Sequence, residues 1–197
     1  MPKYNLNQLS TIEETYDHGL LPQRNEPGKF YQDTSGRCRL DNVLLSSENR
    51  RIIRKTEKFT YRTIPLSEFE YNLNVQKQIF RWLKILGWDF PISSVKKIFK
   101  SHIFNQLDIW YDGQEVVAYS VSLCTNSISH IAYVFYNPEY SHGDLPIRLV
   151  LQFIIDSATK NLQYAYVGRF SKDTGYYKRN LPGFEYFEDN HWIKYQK

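Results

Sequence analysis

The side chains in this chain best suited to chemistry are basic and clustered. Between positions 37 and 62 stand Arg37, Arg39, Arg50, Arg51, Arg54, Lys55, Lys58 and Arg62 against Asp41, Glu48 and Glu57, a local excess of five positive charges. Cations of this kind neutralise phosphates and release counterions, which makes a polyanion the natural partner to consider. Ser46 or Ser47 predicts a capped helix through Lys55, on which Arg50 and Arg54, and likewise Arg51 and Lys55, fall one turn apart while Ile52 and Ile53 form the apolar side. A solvated helix face has the same composition, so charge alone leaves both readings open. Two carboxylates, Glu139 and Asp144, flank the Asn137-Pro138 step where a strand pattern breaks. Nucleophile and metal chemistry has no motif: there is no G-x-S-x-G and no H-E-x-x-H, and Cys38 and Cys124 lie far apart without CxxC or a Cys/His cluster. Neither a metal site nor a disulfide is expected.

The elements that must position these groups come from patterning. The 197 residues, with 12 Phe, 16 Tyr and 4 Trp, are enough for one globular core. Ser10-Thr-Ile-Glu13 has capping-box spacing and predicts a short helix from Thr11 toward His18, stopped at Gly19. A loop is expected to follow as far as Gly36. Val75, Ile79, Trp82, Leu83 and Leu86 form an amphipathic stripe ending at Gly87, and Ser93 or Ser94 predicts the cap of a shorter helix over 95–100. Alternation then replaces the helical period: strands over 107–111 and 114–123 flank Asp112-Gly113, a hairpin signal, and a third strand covers 128–136. A helix over 145–160 follows, with Arg148, Gln152, Asp156 and Lys160 in one polar line and the rest buried. A strand over 163–167, a helical turn over 174–179 and closing strands around Asp189-Asn190 complete the chain.

Charge is uneven: residues 1–100 hold 17 Lys/Arg against 11 Asp/Glu, and residues 101–197 hold 8 against 10. This suggests an N-terminal helical and loop element carrying the basic helix over 1–62 and a second segment over 63–197, together one compact unit. The uncharged stretch 116–138 is interrupted by Thr125, Asn126, Ser127, Ser129 and His130, so it predicts two buried strands rather than a membrane helix. The N-terminus lacks the basic start and apolar run of a signal peptide, and a soluble, cytoplasmic protein is expected.

Antiparallel strands, then a buried crossover helix, then another strand imply an α/β (α+β) domain: a mixed, mainly antiparallel sheet with flanking helices, whose order resembles the GNAT acyltransferase fold. A more specific resemblance lies in Tyr133-Val-Phe-Tyr-Asn-Pro138, the helix over 145–160, Tyr164-Ala-Tyr-Val-Gly168, Tyr177-Lys178, Pro182 and Trp192, preceded by Gly28-Lys-Phe-Tyr31, Arg37-Cys-Arg39 and Ser46-Ser-Glu-Asn-Arg-Arg-Ile-Ile-Arg54. In this order they are similar to arginyl-tRNA–protein transferases, over most of residues 16–195. The chain departs from that family in keeping only Cys38 of its cysteine-rich N-terminal element, which is reported to hold a metal or iron–sulfur centre.

The resemblance implies transfer of arginine or leucine from charged tRNA to the N-terminal amine of a protein or peptide, with aminoacyl-tRNA as co-substrate and no other cofactor. Because the ester is already activated, such an enzyme chiefly juxtaposes amine and carbonyl, stabilises an oxyanion and assists proton removal. Glu139 and Asp144 are then candidates to hold the ammonium or accept its proton. Lys178, matching the family's Tyr-Lys pair, would supply a cation near the acceptor end or the oxyanion. Tyr133, Tyr166 and Tyr177 would line the aminoacyl pocket or stack on the terminal adenosine, with Arg148 near a phosphate. Arg50, Arg51, Arg54 and Lys55 would grip the tRNA backbone. His130 is expected as a satisfied core histidine and Trp192 as packing. An acetyl-coenzyme A enzyme of this fold would show R/Q-x-x-G-x-G/A at the central helix; here the loop reads Ser141-His-Gly-Asp-Leu-Pro-Ile-Arg148, which weighs against coenzyme A. A coenzyme A-dependent N-acetyltransferase and a non-catalytic tRNA-binding relative are the alternatives.

Overall fold

Alternating side chains over residues 115–124 divide the molecule into two layers: Tyr119, Val121 and Leu123 enter one core, while Ala118, Ser120 and Ser122 face the other way and are also buried. A computed structural model describes residues 11–23, 26, 28–171 and 175–195. Its main sheet has eight strands in the order β10-β9-β3-β8-β7-β6-β5-β4. These are β3 (Ser35–Arg39), β4 (Phe59–Pro65), β5 (Gln106–Asp112), β6 (Glu115–Cys124), β7 (Ile128–Tyr136), β8 (Tyr164–Arg169), β9 (Phe184–Glu188) and β10 (His191–Lys194). Every neighbouring pair is antiparallel except β7 and β8, which the crossover helix α5 (Leu145–Thr159) joins in parallel. Strands β1 (Leu20–Pro22) and β2 (Phe30–Gln32) form a separate ribbon. Helices α1 (Ile12–Asp17), α3 (Leu73–Ile85) and α4 (Ile92–Phe99) contribute Tyr16, Ile79, Trp82, Leu83, Val95, Ile98 and Phe99 to the core on one face. On the other face, Ile52 of α2 (Ser47–Lys55) packs with Leu151 and Ile154 of α5.

Helix α2 begins as the sequence predicts: the Ser46 side chain accepts from the Asn49 amide while the Asn49 side chain accepts from the Ser46 amide, a reciprocal cap. The last hairpin also follows its signal, with positive φ at both Asp189 and Asn190 as a two-residue turn matched to strand twist requires. Elsewhere the chain departs from expectation. Thr11 caps α1 by accepting from Glu14; Ser10 and Thr174 lie outside the described residues. Pro91, not Ser93 or Ser94, starts α4, because its fixed φ is already that of a helix entry. The first hairpin turns at Gly113 and Gln114 rather than Asp112 and Gly113, since Asp112 still pairs with Glu115 and only Gly113 adopts positive φ. Strands β3 and β4 stand where the pattern had suggested a loop and no element.

The polar line of α5 is not its solvent face. Tyr61 of β4 donates to Asp156 at 2.7 Å, Gln152 donates to the same carboxylate at 2.7 Å, and Lys160 reaches Gln106 of β5 at 3.1 Å. The line instead meets Tyr61, Gln106 and Trp110 of the sheet. Beneath it Asp108 is 5% exposed, accepts from Thr63 at 2.7 Å, and has its pKa raised to about 6, first by burial and then by Asp156. A carboxyl with a raised folded-state pKa contributes stability that is present below its unfolded value near 4 and is lost as pH rises through 6. Asp108→Asn keeps an acceptor for Thr63 without the charge. It is expected to raise the urea midpoint at pH 7.5 by the equivalent of up to roughly 3 kcal/mol and to give little gain at pH 4, which paired denaturation curves measure directly.

Candidate functional site

The one parallel pairing in the sheet is short. Ile128, Ser129 and His130 of β7 pair with Tyr164, Ala165 and Tyr166 of β8, and there the register ends although β7 runs on to Tyr136 and β8 to Arg169. Just beyond it Ala132 has no cross-strand partner, because Ser122 pairs with Ile131 and Val121 with Tyr133. A bulge of this kind bends a strand and re-aims its side chains. The two strands therefore part, and a wedge opens between them.

A 3-10 turn, Tyr176–Asn180, sends Lys178 into the wedge. The Lys178 ammonium donates to the Arg169 carbonyl at 2.6 Å, and burial lowers its pKa to about 8. Across from it lies His130, 3% exposed, whose Nδ1 is 2.7 Å from the Tyr16 hydroxyl and whose Nε2 is buried with no hydrogen-bond partner. Burial, with the Lys178 charge adding to it, lowers the His130 pKa to about 3, so the imidazole is neutral at physiological pH. Between the two stands Gly168, at φ +75°, where a Cβ would lie 3.8 Å from His130 Nε2 and 3.8 Å from Lys178 Nζ and, its chain neighbours aside, within 4 Å of no other atom of the described residues.

The residues singled out from sequence fall in several surroundings. Lys178 is in the wedge. Tyr177, on the same turn, is 41% exposed while burial of its hydroxyl end, with Tyr136 of β7 nearby, lifts its pKa to about 12. Tyr166 is 1% exposed, packed against Tyr16 and Trp192, and its hydroxyl accepts from Arg37, so it supports His130 from the neighbouring strand. Tyr133 is half-buried among Phe90, Phe104 and Phe135. Glu139 is exposed and lines a cleft with Lys77, Arg81, Glu115 and Asn137, apart from Lys178. Asp144 caps α5 and accepts from Lys55 at 3.0 Å and Arg51 at 3.2 Å; burial raises its pKa, but these cations more than offset that and hold it below its ordinary value. A carboxylate so engaged is a poor proton acceptor. Arg148 lies over Trp110, two strands from β7, with its Nε and Nη1 buried and unpartnered.

Helix α2 is fastened both to the start of α5 and to the turn that carries Lys178. Arg51 and Lys55 hold Asp144 at the start of α5, and the Asn49 side chain donates to the Asn180 carbonyl at 3.3 Å on the turn that carries Lys178. Arg50 and Arg54 stay exposed on the outer side. The functional candidate that sequence reasoning set aside is His130, whose partner Tyr16 is 114 residues away and invisible to local pattern. Trp192, by contrast, packs as expected, against Tyr166 and Phe187.

No protein-family model and no curated protein sequence matches the chain. Its fold is GNAT-like. One solved structure similar to it is the C-terminal domain of a putative lysylphosphatidylglycerol synthetase from Agrobacterium fabrum, at TM-score 0.52 and 10% identity over 80% of this chain and 50% of that one. Another is a GCN5-related glucosamine N-acetyltransferase region in a fungal multi-domain GH3 β-N-acetylglucosaminidase, at TM-score 0.50 and 12% identity over 78% of this chain and 19% of that one. The chain thus spans half the length of the first and about a fifth of the second.

A group whose folded-state pKa is depressed contributes stability that is present above its unfolded pKa and lost as pH falls through the folded one. For His130 that window runs from about 6.5 down to about 3. Wild-type protein is expected to lose roughly 2.5 kcal/mol more between pH 7 and pH 4.5 than His130→Gln, read from urea midpoints of both proteins at the two pH values. Equal losses would mean that the imidazole takes up a proton in the folded state.

Proposed function

We propose that this protein is an acyltransferase that moves an amino acid, arginine or leucine, from charged tRNA to the N-terminal amine of a protein or peptide. The observation that carries this reading is the docking of the basic helix α2 on the start of α5 and on the turn that carries Lys178, through Arg51, Lys55 and Asn49. A cationic ridge in that position lies along the path by which a phosphate chain would deliver its esterified end to Lys178. Side-chain cations contact a polymer of phosphates one at a time and tolerate its shape. A coenzyme A pyrophosphate is usually held instead by backbone amides at a helix start. Here Asp144 brings a carboxylate to that helix start, and Pro146 removes one amide. The fold neighbour named for synthesis of lysylphosphatidylglycerol, an aminoacyl product, is in keeping with an aminoacyl donor.

On this reading Arg50 and Arg54 grip the tRNA backbone, while Arg51 and Lys55 divide their charge between it and Asp144. The aminoacyl ester enters beside Lys178, with Tyr177 at the rim. The acceptor amine approaches from the far side of β7, where Glu139 lines the cleft with Lys77 and Arg81 and attracts an ammonium. The coenzyme A-dependent N-acetyltransferase reading is separated from this one by calorimetry with acetyl-coenzyme A, where tight binding would favour it.

Purified protein incubated with radiolabelled arginyl-tRNA or leucyl-tRNA and a panel of peptides including N-terminal Asp and Glu is expected to transfer label to peptide. The pair Arg50→Glu and Arg54→Glu, both on exposed positions, should weaken binding of tRNA about tenfold or more near 0.1 M salt and lower the salt slope by about two. Unchanged affinity in gel shift would remove α2 from the interface, and tRNA binding without transfer from either donor would leave a non-catalytic tRNA-binding protein.

A further inference from the structure

Acyl transfer needs a seat for the carbonyl oxygen, because that atom gains negative charge as the amine attacks. Such a seat requires an open volume about one atom wide and at least two fixed hydrogen-bond donors around it. Gly168 leaves the approach clear: a Cβ there would stand 3.8 Å from each of two nitrogens, and, its chain neighbours aside, no other atom of the described residues comes within 4 Å of it. His130 Nε2 and Lys178 Nζ provide the donors. Both are held. Lys178 is tied to the Arg169 carbonyl by one of its three protons, leaving two, and His130 is fixed through Nδ1 by Tyr16, which is completely buried.

Resting on the acyl-transfer reading, we infer that the slot over Gly168 receives the acyl oxygen of the donor ester: His130 Nε2–H and the Lys178 ammonium hydrogen-bond that oxygen as it becomes an oxyanion, and Tyr16 is the positioning residue that holds the imidazole in its Nε2–H tautomer.

In the proposed arrangement the Tyr16 hydroxyl is the donor. Burial raises the Tyr16 pKa well above its ordinary value, with Tyr166 and Tyr133 adding to the effect, so the phenol keeps its proton. Donated to Nδ1, that proton leaves the single proton of the neutral imidazole on Nε2, facing the slot. A neutral donor beside a cation also avoids placing two positive charges over one oxygen. The neighbours are arranged to preserve this. Tyr16 faces His130 from α1 and Tyr166 from β8; Arg37 of β3 donates to Tyr166; the Cys38 thiol of β3, near Lys178, is kept neutral by its burial. In the step itself, the neutral amine nitrogen bonds to the ester carbon and the carbonyl electron pair moves onto the oxygen in the slot. When that pair returns, the bond to the ribose oxygen breaks. The ribose hydroxyl leaves with the proton that the amine gives up, so charge and atoms balance.

The experiment uses the full chain with the labelled donor that wild type accepts. His130→Phe, which fills the site without a donor, and Lys178→Met, on a surface turn, should each lower kcat by about 10²–10³ with KM changed less than threefold. His130→Gln, whose amide can occupy the Nε2 position, should recover at least tenfold of the His130→Phe loss. The wild-type rate should fall as pH rises through about 8, where Lys178 loses its charge, and Lys178→Arg should move that limb upward. Long-range ¹H–¹⁵N spectra should show the Nε2–H tautomer in wild type and a mixture in Tyr16→Phe, a readout that needs no turnover. A folded His130→Phe or Lys178→Met with wild-type kcat, or an Nδ1–H tautomer in wild type, would overturn the oxygen seat while leaving acyl transfer in place. Wild type that transfers from no donor overturns the reading on which the seat rests.

Discussion

The buried guanidinium of Arg37 is the constraint on which the rest of this structure depends. Strand β3 lies third from one edge of the eight-stranded sheet, bracketed by β8 on one side and β9 on the other, where a charged side chain 5% exposed is costly unless it is fully compensated. Compensation here comes from three directions. Arg37 bonds Glu185 of β9 at 2.9 Å, Asp17 at the end of α1 at 2.9 Å and the Tyr166 hydroxyl of β8 at 3.4 Å, and its plane lies over the rings of Tyr164 and Trp192 at 3.8 Å and 4.0 Å. Removing Glu185, its buried partner, would leave the guanidinium only the exposed Asp17 as counter-charge, at a cost of up to roughly 3–5 kcal/mol. Its other consequence is positional. By holding Asp17, and with Trp192 donating to the Asp17 carbonyl, the network fixes the short helix α1 and so sets Tyr16 against His130.

From that anchor the wedge between β7 and β8 follows as a matter of strand pairing. β8 is committed to β3 as far as Arg169, opposite Ser35, while β7 is committed to β6 as far as Tyr136, opposite Ala118. Each strand keeps its ladder on its outer side beyond the three shared pairs, and the backbone groups that face the opening are left without a strand partner. The opened space is lined by a neutral imidazole whose Nε2 has no partner and by a lysine with a lowered pKa. Perturbed groups facing one another in a cleft mark functional sites more often than structural ones.

Much of the frame was legible in the sequence because it is written locally. The reciprocal cap at Ser46 and Asn49, the 115–124 alternation, the crossover helix and the Asp189-Asn190 turn each rest on residues a few positions apart. Strand β3 was not legible, since Ser-Gly-Arg-Cys-Arg reads as turn and charge until Glu185, 148 residues from Arg37, is brought beside it. The edge strand β4 carries a real alternation, with Phe59, Tyr61 and Thr63 on one side, but its polar content and its closeness to the basic helix concealed it. Of the three groups proposed for proton and charge chemistry, sequence order put Glu139 and Asp144 close together. The fold separates them: one lines a cleft with Lys77 and Arg81, and the other is bound to the basic helix. His130 had the opposite fate, ordinary in its strand pattern and significant only once Tyr16, Gly168 and Lys178 converge on it.

Asp144 also explains why the basic helix stays where it is. An exposed cationic helix gains little from any single surface ion pair, often under 1 kcal/mol, and salt weakens it further. Asp144 sits partly enclosed at the start of α5, receives two cations at once, and faces the helix whose Ile52 is already packed on Leu151 and Ile154. Apolar packing supplies most of the docking energy, and the carboxylate sets its orientation. The same carboxylate makes that helix start unfavourable for an added phosphate, because the positive end of the helix dipole is already answered. On the proposed reading, phosphate recognition has therefore moved from the backbone of α5 to the side chains of α2, a change that exchanges a site suited to one compact pyrophosphate for a surface suited to an extended nucleic-acid backbone.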